Sequence, residues 1–210
     1  MDYEETFAHV ARFSSIRALL AIGAHYDLEI HQMDVDAAYL NDDIDYDIYM
    51  KQPEGSYVNE SEHLVCKLNK SLYGLKQSGR VWYEKITDEL KSLGFHQLLT
   101  ENCVFITTHG ENSLTIIALY VDDLLLQSNS LKTLNNVKQK LSTIISMKDV
   151  GEAKYILGLE IYRNRLNKTI SITQHRYITK IIELNGLINA SDKTSTPMNT
   201  GVKLVKNRTP

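Results

Sequence analysis

Apolar positions in this chain recur with two periods, which separates helices from strands before any chemistry is considered. Leu131, Leu134, Val137, Leu141 and Ile144 step by 3, 3, 4 and 3, so all five share one helical face, and Ser130 is placed to cap it. Ser78 to Leu93 carries Val81, Trp82, Ile86, Leu90 and Leu93 at helical spacing and meets Gly94, suited to the left-handed step that closes a helix. The same reasoning predicts a helix from Ser14-Ser15 to near His25, and another from His175 to Asn185 stopped by Gly186.

Shorter runs rich in β-branched and aromatic residues predict strands at Leu28–Val35, Ile48–Met50, Cys103–Thr107, Leu114–Val121 and Leu124–Gln127. A turn at Gly110-Glu111-Asn112 joins the third to the fourth. Tyr155–Tyr162 and Thr169–Thr173 form a hairpin around Asn167-Lys168. Residues 41–47 (NDDIDYD) and 53–61 are loop, and beyond Ser191 the chain turns polar, as a linker or the start of a following region would. The mixed order predicts an α+β fold, a sheet with helices on one face.

One reversal stands out. Asp122-Asp123 lies between LTIIALYV and LLLQ, among the most apolar runs in the chain. Asp-Asp suits a turn for its backbone-bonding habit alone. At the end of a core sheet, however, two adjacent like charges repel unless a cation lies between them, and hard carboxylate oxygens suit Mg²⁺. Asp34, near the end of its own strand, is the best third carboxylate. Three such groups at one sheet edge can hold two Mg²⁺ ions, with Mn²⁺ as an alternative.

Composition narrows the class. The 210 residues are 43% hydrophobic and 23% charged, which is ordinary for a globular domain. The eight-residue apolar stretch Leu114–Val121 is far below the ~20 residues of a membrane helix. The N-terminal MDYEETFAHVARF lacks the pattern of a secretory signal, and Cys66 and Cys103 show no metal or redox spacing, so both read as reduced thiols. The seven His residues have no ligand spacing, and no P-loop pattern occurs. The net charge of −3 divides unevenly: acidic through residue 130, basic from Lys132 to Arg208. That asymmetry suits one part holding cations and one meeting a polyanion.

QMDVDAAYLN (32–41), SLYGLKQSGRVWY (71–83), LYVDDLLL (119–126) and YILGLEI (155–161) together resemble successive motifs of the reverse transcriptase of Ty1/copia-type LTR retrotransposons. The likeness runs from DYEETFAHVARFSSIRALLA through STPMNTGVKL, nearly the whole chain. It implies a right-hand polymerase fold over 1–190: a fingers or palm edge at 1–30, the palm at 31–150, and a primer-grip hairpin with a thumb-like helix at 151–190. Residues 191–210 would begin the next region.

The resemblance also implies roles. Asp34, Asp122 and Asp123 would bind the metals, with the Val35 carbonyl contributing. Tyr39, Ala38, Gly74 and Tyr120 would line the nucleotide site, Tyr39 excluding a ribose 2′-hydroxyl. Lys76, Gln77, Arg80 and the Leu157-Gly158-Leu159 turn would meet template and primer, and the basic segment would lie along duplex phosphates. Trp82 and Tyr83 are better explained as core than as base-stacking residues.

The expected partners are an RNA template with its DNA primer, a deoxynucleoside triphosphate, and the protease, integrase and RNase H segments of a Gag-Pol polyprotein. The expected location is a cytoplasmic virus-like particle, or the nucleus. Two departures from the pattern are Asp36, where Lys or Asn is common, and Asn41-Asp42 in place of Asn-Gly. Basic finger strands would precede Met1 in relatives. The alternative is therefore an impaired element remnant that keeps the fold and nucleic-acid binding. Another palm enzyme, such as a nucleotide cyclase, would have no use for YGLKQS or LGLEI.

Overall fold

The computed structural model describes residues 8–41, 44, 47–56, 63–109 and 113–187. In chain order the helices are α1 (Phe13–His25), α2 (Ser78–Ser92), α3 (Leu131–Ile144) and α4 (His175–Leu184). The strands are β1 (Glu29–Val35), β2 (Tyr49–Lys51), β3 (Val65–Lys67), β4 (His96–Leu98), β5 (Glu101–His109), β6 (Ser113–Tyr120), β7 (Asp123–Ser128), β8 (Met147–Glu152), β9 (Tyr155–Ile156), β10 (Leu159–Asn164) and β11 (Thr169–Thr173).

The apolar runs become the middle of a six-stranded sheet ordered β4-β5-β6-β7-β1-β8, with every neighbouring pair antiparallel. β7 is buried along Leu124 to Ser128. A strand with no exposed alternation must be covered on both sides, and it is. Lys138 of α3 donates to His31 Nδ1 at 3.0 Å. Gly23 of α1 lies so close to Ile30 that a Cβ there would meet its Cδ1 at 2.6 Å. His31 and Ile30 alternate along β1 and so point to opposite faces.

The sheet therefore carries helices on both faces, not on one as expected. The reason lies in β7 and its neighbours: leaving one side of Leu124–Gln127 in water would forfeit its apolar burial. The stripe Ile16, Leu19, Leu20 of α1 supplies the missing cover.

The helix signals at Ser130 and Gly94 hold, whereas Ser14-Ser15, expected to cap the first helix, lies inside α1, which has Arg12 at its N-cap and no side-chain cap bond. Ser130 Oγ accepts from the Thr133 N–H at the start of α3, and Gly94 follows α2 with φ +87. The strands β3, β4 and β8 were not anticipated; they are short or polar, with little alternation to betray them. β8 pairs with β1 through a register shift near Gly151, which has φ +83. The hairpin expected after Tyr155 is a three-stranded sheet ordered β11-β10-β9. Its β9–β10 turn is Leu157-Gly158, both with positive φ. The anticipated turn at 110–112 and the segment beyond 191 lie outside the described residues.

Arg163 of β10 ties this second sheet to the α1–β1 corner, donating to the Leu28 carbonyl at 2.5 Å and to Asp27 at 2.8 Å. The chain divides after Ile172 into two compact units, and the second contains α4, none of whose residues is buried. Among the described residues no helix is long and apolar enough to cross a membrane, and Cys66 and Cys103 are both free thiols.

Candidate active site

The site follows from strand register. Asp34 of β1 stands directly opposite Asp123 of β7; Asp123 is opposite Tyr120 of β6, and Asp34 is opposite Lys148 of β8. Directly opposed residues of antiparallel strands share a face. Tyr120, Asp123, Asp34 and Lys148 therefore form one row across four strands. Lys148 is exposed, and its place beside Asp34 was invisible in the sequence because β8 lacks a strand pattern.

Val121 and Asp122 form the two-residue turn between β6 and β7. Val121 has φ +54. A β-branched residue rarely enters that region, and such strain costs about 1–3 kcal/mol. Surrounding structure over-determines the turn. The Val35 N–H donates to the Asp122 carbonyl at 2.9 Å, and the Trp82 indole N–H donates to the Val121 carbonyl at 2.7 Å. At roughly 1 kcal/mol each, these bonds offset much of the strain. Trp82 is indeed core, at 2% exposure, and its one polar atom is bound to this turn.

The Asp123 carboxyl is pushed above its usual range by burial and by the negative charges of Asp122 and Asp34, while a hydrogen bond from Gln32 opposes the rise. That bond, Gln32 Nε2 to Asp123 Oδ1, is 2.6 Å, and Gln32 is itself buried. The charges of Asp122 and Asp34 both act on Asp123, and hard carboxylate oxygens are the donor type that suits a divalent cation such as Mg²⁺. Among the described residues no group of three or more acidic, His or Cys side chains is gathered closely enough to hold a metal ion. Mg²⁺ keeps waters and substrate phosphates in its own shell and is usually held by only one or two protein carboxylates.

The aromatic wall is a pair. Tyr39, on the 3₁₀ turn Ala38–Asn41, packs against Tyr73 with ring centroids 4.4 Å apart and tilted by 52°. Burial and the Asp122 charge raise the pKa of both phenols. Both rings therefore feel the carboxylate turn. Tyr39 is half-buried, whereas Tyr73 is 57% exposed and was not singled out in the sequence; an aromatic beside Gly74 was its only signal. Gly74 has φ +100 with no protein atom within 4 Å of where a Cβ would sit, so its backbone conformation by itself favours glycine. Ala38 is fully buried beneath the turn.

The remaining expected residues spread out. Gln77 precedes α2, Arg80 pairs with Glu84 along the helix at 2.8 Å, and Lys76 is exposed. Leu157-Gly158-Leu159 is the β9–β10 turn of the second sheet, with Leu159 buried. The basic segment is not uniformly outward. Lys138 is buried against His31 and Asp149, and Arg163 and Arg165 bind Asp27, with Arg165 also on Glu29. Asp36 is turned to Ser146, whose hydroxyl donates to it at 2.8 Å.

Comparison with known proteins identifies the family. Residues 1–200 match the family described as reverse transcriptase (RNA-dependent DNA polymerase), and the chain belongs to that family. It is 40% identical over 210 residues to the retrovirus-related Pol polyprotein from transposon TNT 1-94 of Nicotiana tabacum, covering all of this chain and 16% of that protein. It is 36% identical over 204 residues to the Pol polyprotein from transposon RE1 of Arabidopsis thaliana, covering 97% of this chain and 14% of the relative. The transposon Ty1-MR1 Gag-Pol polyprotein of Saccharomyces cerevisiae is 35% identical over 207 residues, 94% of this chain and 11% of its own length. These relatives place the chain among Ty1/copia-type transposon Pol sequences, of which it spans a small part. No solved structure matches.

Proposed function

We propose that this chain is the polymerase core of a copia-type retrotransposon Pol polyprotein, adding deoxynucleotides to a primer 3′-hydroxyl on an RNA template. The observation that carries the reading is the cross-strand row that sets Asp34 opposite Asp123, beside the strained turn bearing Asp122. Asp34, Asp122 and Asp123 would hold two Mg²⁺ ions, with the Val35 carbonyl as a further oxygen. When bound, such ions lower the pKa of the attacking hydroxyl and neutralise charge on the departing pyrophosphate.

The chain's own groups do the positioning. Gln32 fixes the Asp123 carboxylate. The Tyr39 ring, held by Tyr73, closes the space a ribose 2′-hydroxyl would need. Tyr120 lines the same nucleotide site, the fully buried Ala38 supports the turn that carries Tyr39 and does not line the site as expected, and Gly74 shapes the loop behind Tyr73. Lys76, Gln77 and Arg80 contact template phosphates, while Leu157-Gly158-Leu159 supports the primer end. The outward part of the basic segment (Lys132, Lys140, Lys154 and Lys168) follows the duplex, giving sequence-independent, salt-sensitive affinity. The protease, integrase and RNase H segments of the same polyprotein are its partners, within a cytoplasmic virus-like particle.

Primer extension on poly(rA)·oligo(dT) with Mg²⁺ tests the reading. Extension is expected, and Asp122→Asn should abolish it. Duplex binding without extension by the wild-type chain would overturn it in favour of a remnant that keeps only the fold and nucleic-acid binding.

A further inference from the structure

We propose that Trp82 is a positioning residue for the polymerase reaction, its indole N–H holding the Val121–Asp122 turn in the conformation that presents the carboxylates. The inference rests on the reading of Asp34, Asp122 and Asp123 as the polymerase carboxylates, and deepens it.

The turn has two peptide carbonyls, and each has a tertiary donor. Asp122 O accepts from the Val35 N–H of β1, the strand that carries Asp34. Val121 O accepts from Trp82 Nε1 at 2.7 Å, from α2 on the other side. The first bond continues the pairing of β7 with its sheet neighbour β1. The second comes from a side chain 39 residues away and reaches the residue with φ +54 that immediately precedes Asp122.

Packing alone accounts for the burial of Trp82, since a large ring fills a core well wherever it lies. It does not account for the choice of acceptor. A buried indole needs one hydrogen-bond partner, and here that partner is the strained residue of the carboxylate turn. A phenylalanine would fill nearly the same space and leave the carbonyl without its donor. Val121 could then relax toward negative φ, rotating the adjoining peptide and with it the Asp122 side chain. Misplacement of a catalytic group by about 1 Å can cost on the order of a hundredfold in rate.

Trp82 is the single tryptophan of the chain, which permits an atomic test. Expression in a tryptophan auxotroph fed β-(3-benzothienyl)alanine replaces the N–H by sulfur and keeps the bicyclic shape; feeding 5-fluorotryptophan keeps the N–H. Trp82→Phe is the genetic counterpart. Three quantities are measured on each protein: melting temperature, steady-state extension on poly(rA)·oligo(dT), and Mn²⁺ affinity by electron paramagnetic resonance. The sulfur analogue should lose about tenfold to a hundredfold in kcat, with KM for dTTP and duplex affinity within about twofold. Its Mn²⁺ affinity should fall by about tenfold, and the fluoro analogue should match wild type in all three.

Wild-type kcat and Mn²⁺ affinity in the sulfur analogue would overturn the inference. A parallel fall in melting temperature, duplex affinity and kcat would also overturn it, marking a packing role. Should wild type bind Mn²⁺ and duplex yet extend nothing, the polymerase reading fails, and the Mn²⁺ comparison alone still decides whether the indole positions the turn.

Discussion

The side-chain amide of Gln32 donates to the carboxylate of Asp123, Nε2 to Oδ1 at 2.6 Å, from two positions before Asp34 on the same strand. Strand β1 thus contributes one carboxylate and orients another. Gln32 is buried and opposes the upward pressure that Asp122, Asp34 and burial exert on the Asp123 pKa. Gln32→Leu keeps the volume and removes the donor. The Mg²⁺ concentration for half-maximal primer extension should rise by about fivefold to twentyfold, since a lost bond to a charged group is worth about 1.5–3 kcal/mol before relaxation. An unchanged Mg²⁺ requirement would show that Asp123 needs no such support.

Tyr39 rests on Tyr73, so the ring is wedged and cannot simply swing aside. Tyr39→Ala should admit ribonucleotides, raising the ratio of rUTP to dTTP incorporation by on the order of a hundredfold. Tyr73→Ala should raise it less, by freeing the Tyr39 ring without removing it. Single-nucleotide incorporation kinetics on poly(rA)·oligo(dT) give both ratios, and equal selectivity in all three proteins would refute the steric role.

His31 sits against the Lys138 ammonium, with Asp149, Glu29 and Glu152 also acting on it. Burial first, and Lys138 second, hold its pKa below the ordinary 6.5. The unfolded chain therefore binds a proton before the folded one does. Stability should be level above pH 6.5 and fall as pH drops below it, down to the lowered folded value. His31→Asn should flatten that part of the profile. Asp149, whose pKa lies below the usual 3.8 because of Lys138 and the Gly151 N–H, adds a loss only at more acid pH. Thermal melts between pH 5 and 8 read this directly, and a stability rise on acidification through 6.5 would contradict it.

Gln127 is 1% exposed, lies beside Gly23 and Ile30, and neither polar atom of its side chain has a partner among the described residues. Replacement by Met keeps the shape and removes the desolvation cost. Gln127→Met is expected to stabilise the fold by about 1–3 kcal/mol in urea denaturation. A destabilised variant would mean the amide is satisfied by a buried water.

The two thiols should differ sharply. Cys103 is buried, and its pKa is pushed up to about 12 by burial and by Glu101, whereas Cys66 is partly exposed. Iodoacetamide at pH 8 should label Cys66 alone in the folded protein and both residues in urea, as peptide mass mapping would report. Rapid native labelling of Cys103 would mean that the β5 region opens readily.

Read alone, the sequence determines the helices almost to the residue, because Ser130, Gly94 and Gly186 act locally through cap and turn geometry. It also determines that β6 and β7 meet at Asp122-Asp123, because two apolar runs with a two-residue break have few other solutions. The ordered motifs add the family, since four of them in register over most of the chain seldom coincide by chance.

Only the tertiary structure decides which side chains share a face. Asp34 faces Asp123, and Lys148 faces Asp34, through pairings between strands far apart in sequence, one of them polar and unpatterned. It likewise decides that α1 and α3 take opposite faces of the sheet, that Arg163 turns inward, and that Tyr73 props Tyr39. The carboxylate turn changes most. Its charges are legible in four letters, but its conformation is held by an indole and a strand N–H that no local pattern could reveal, because register and packing are properties of the whole sheet.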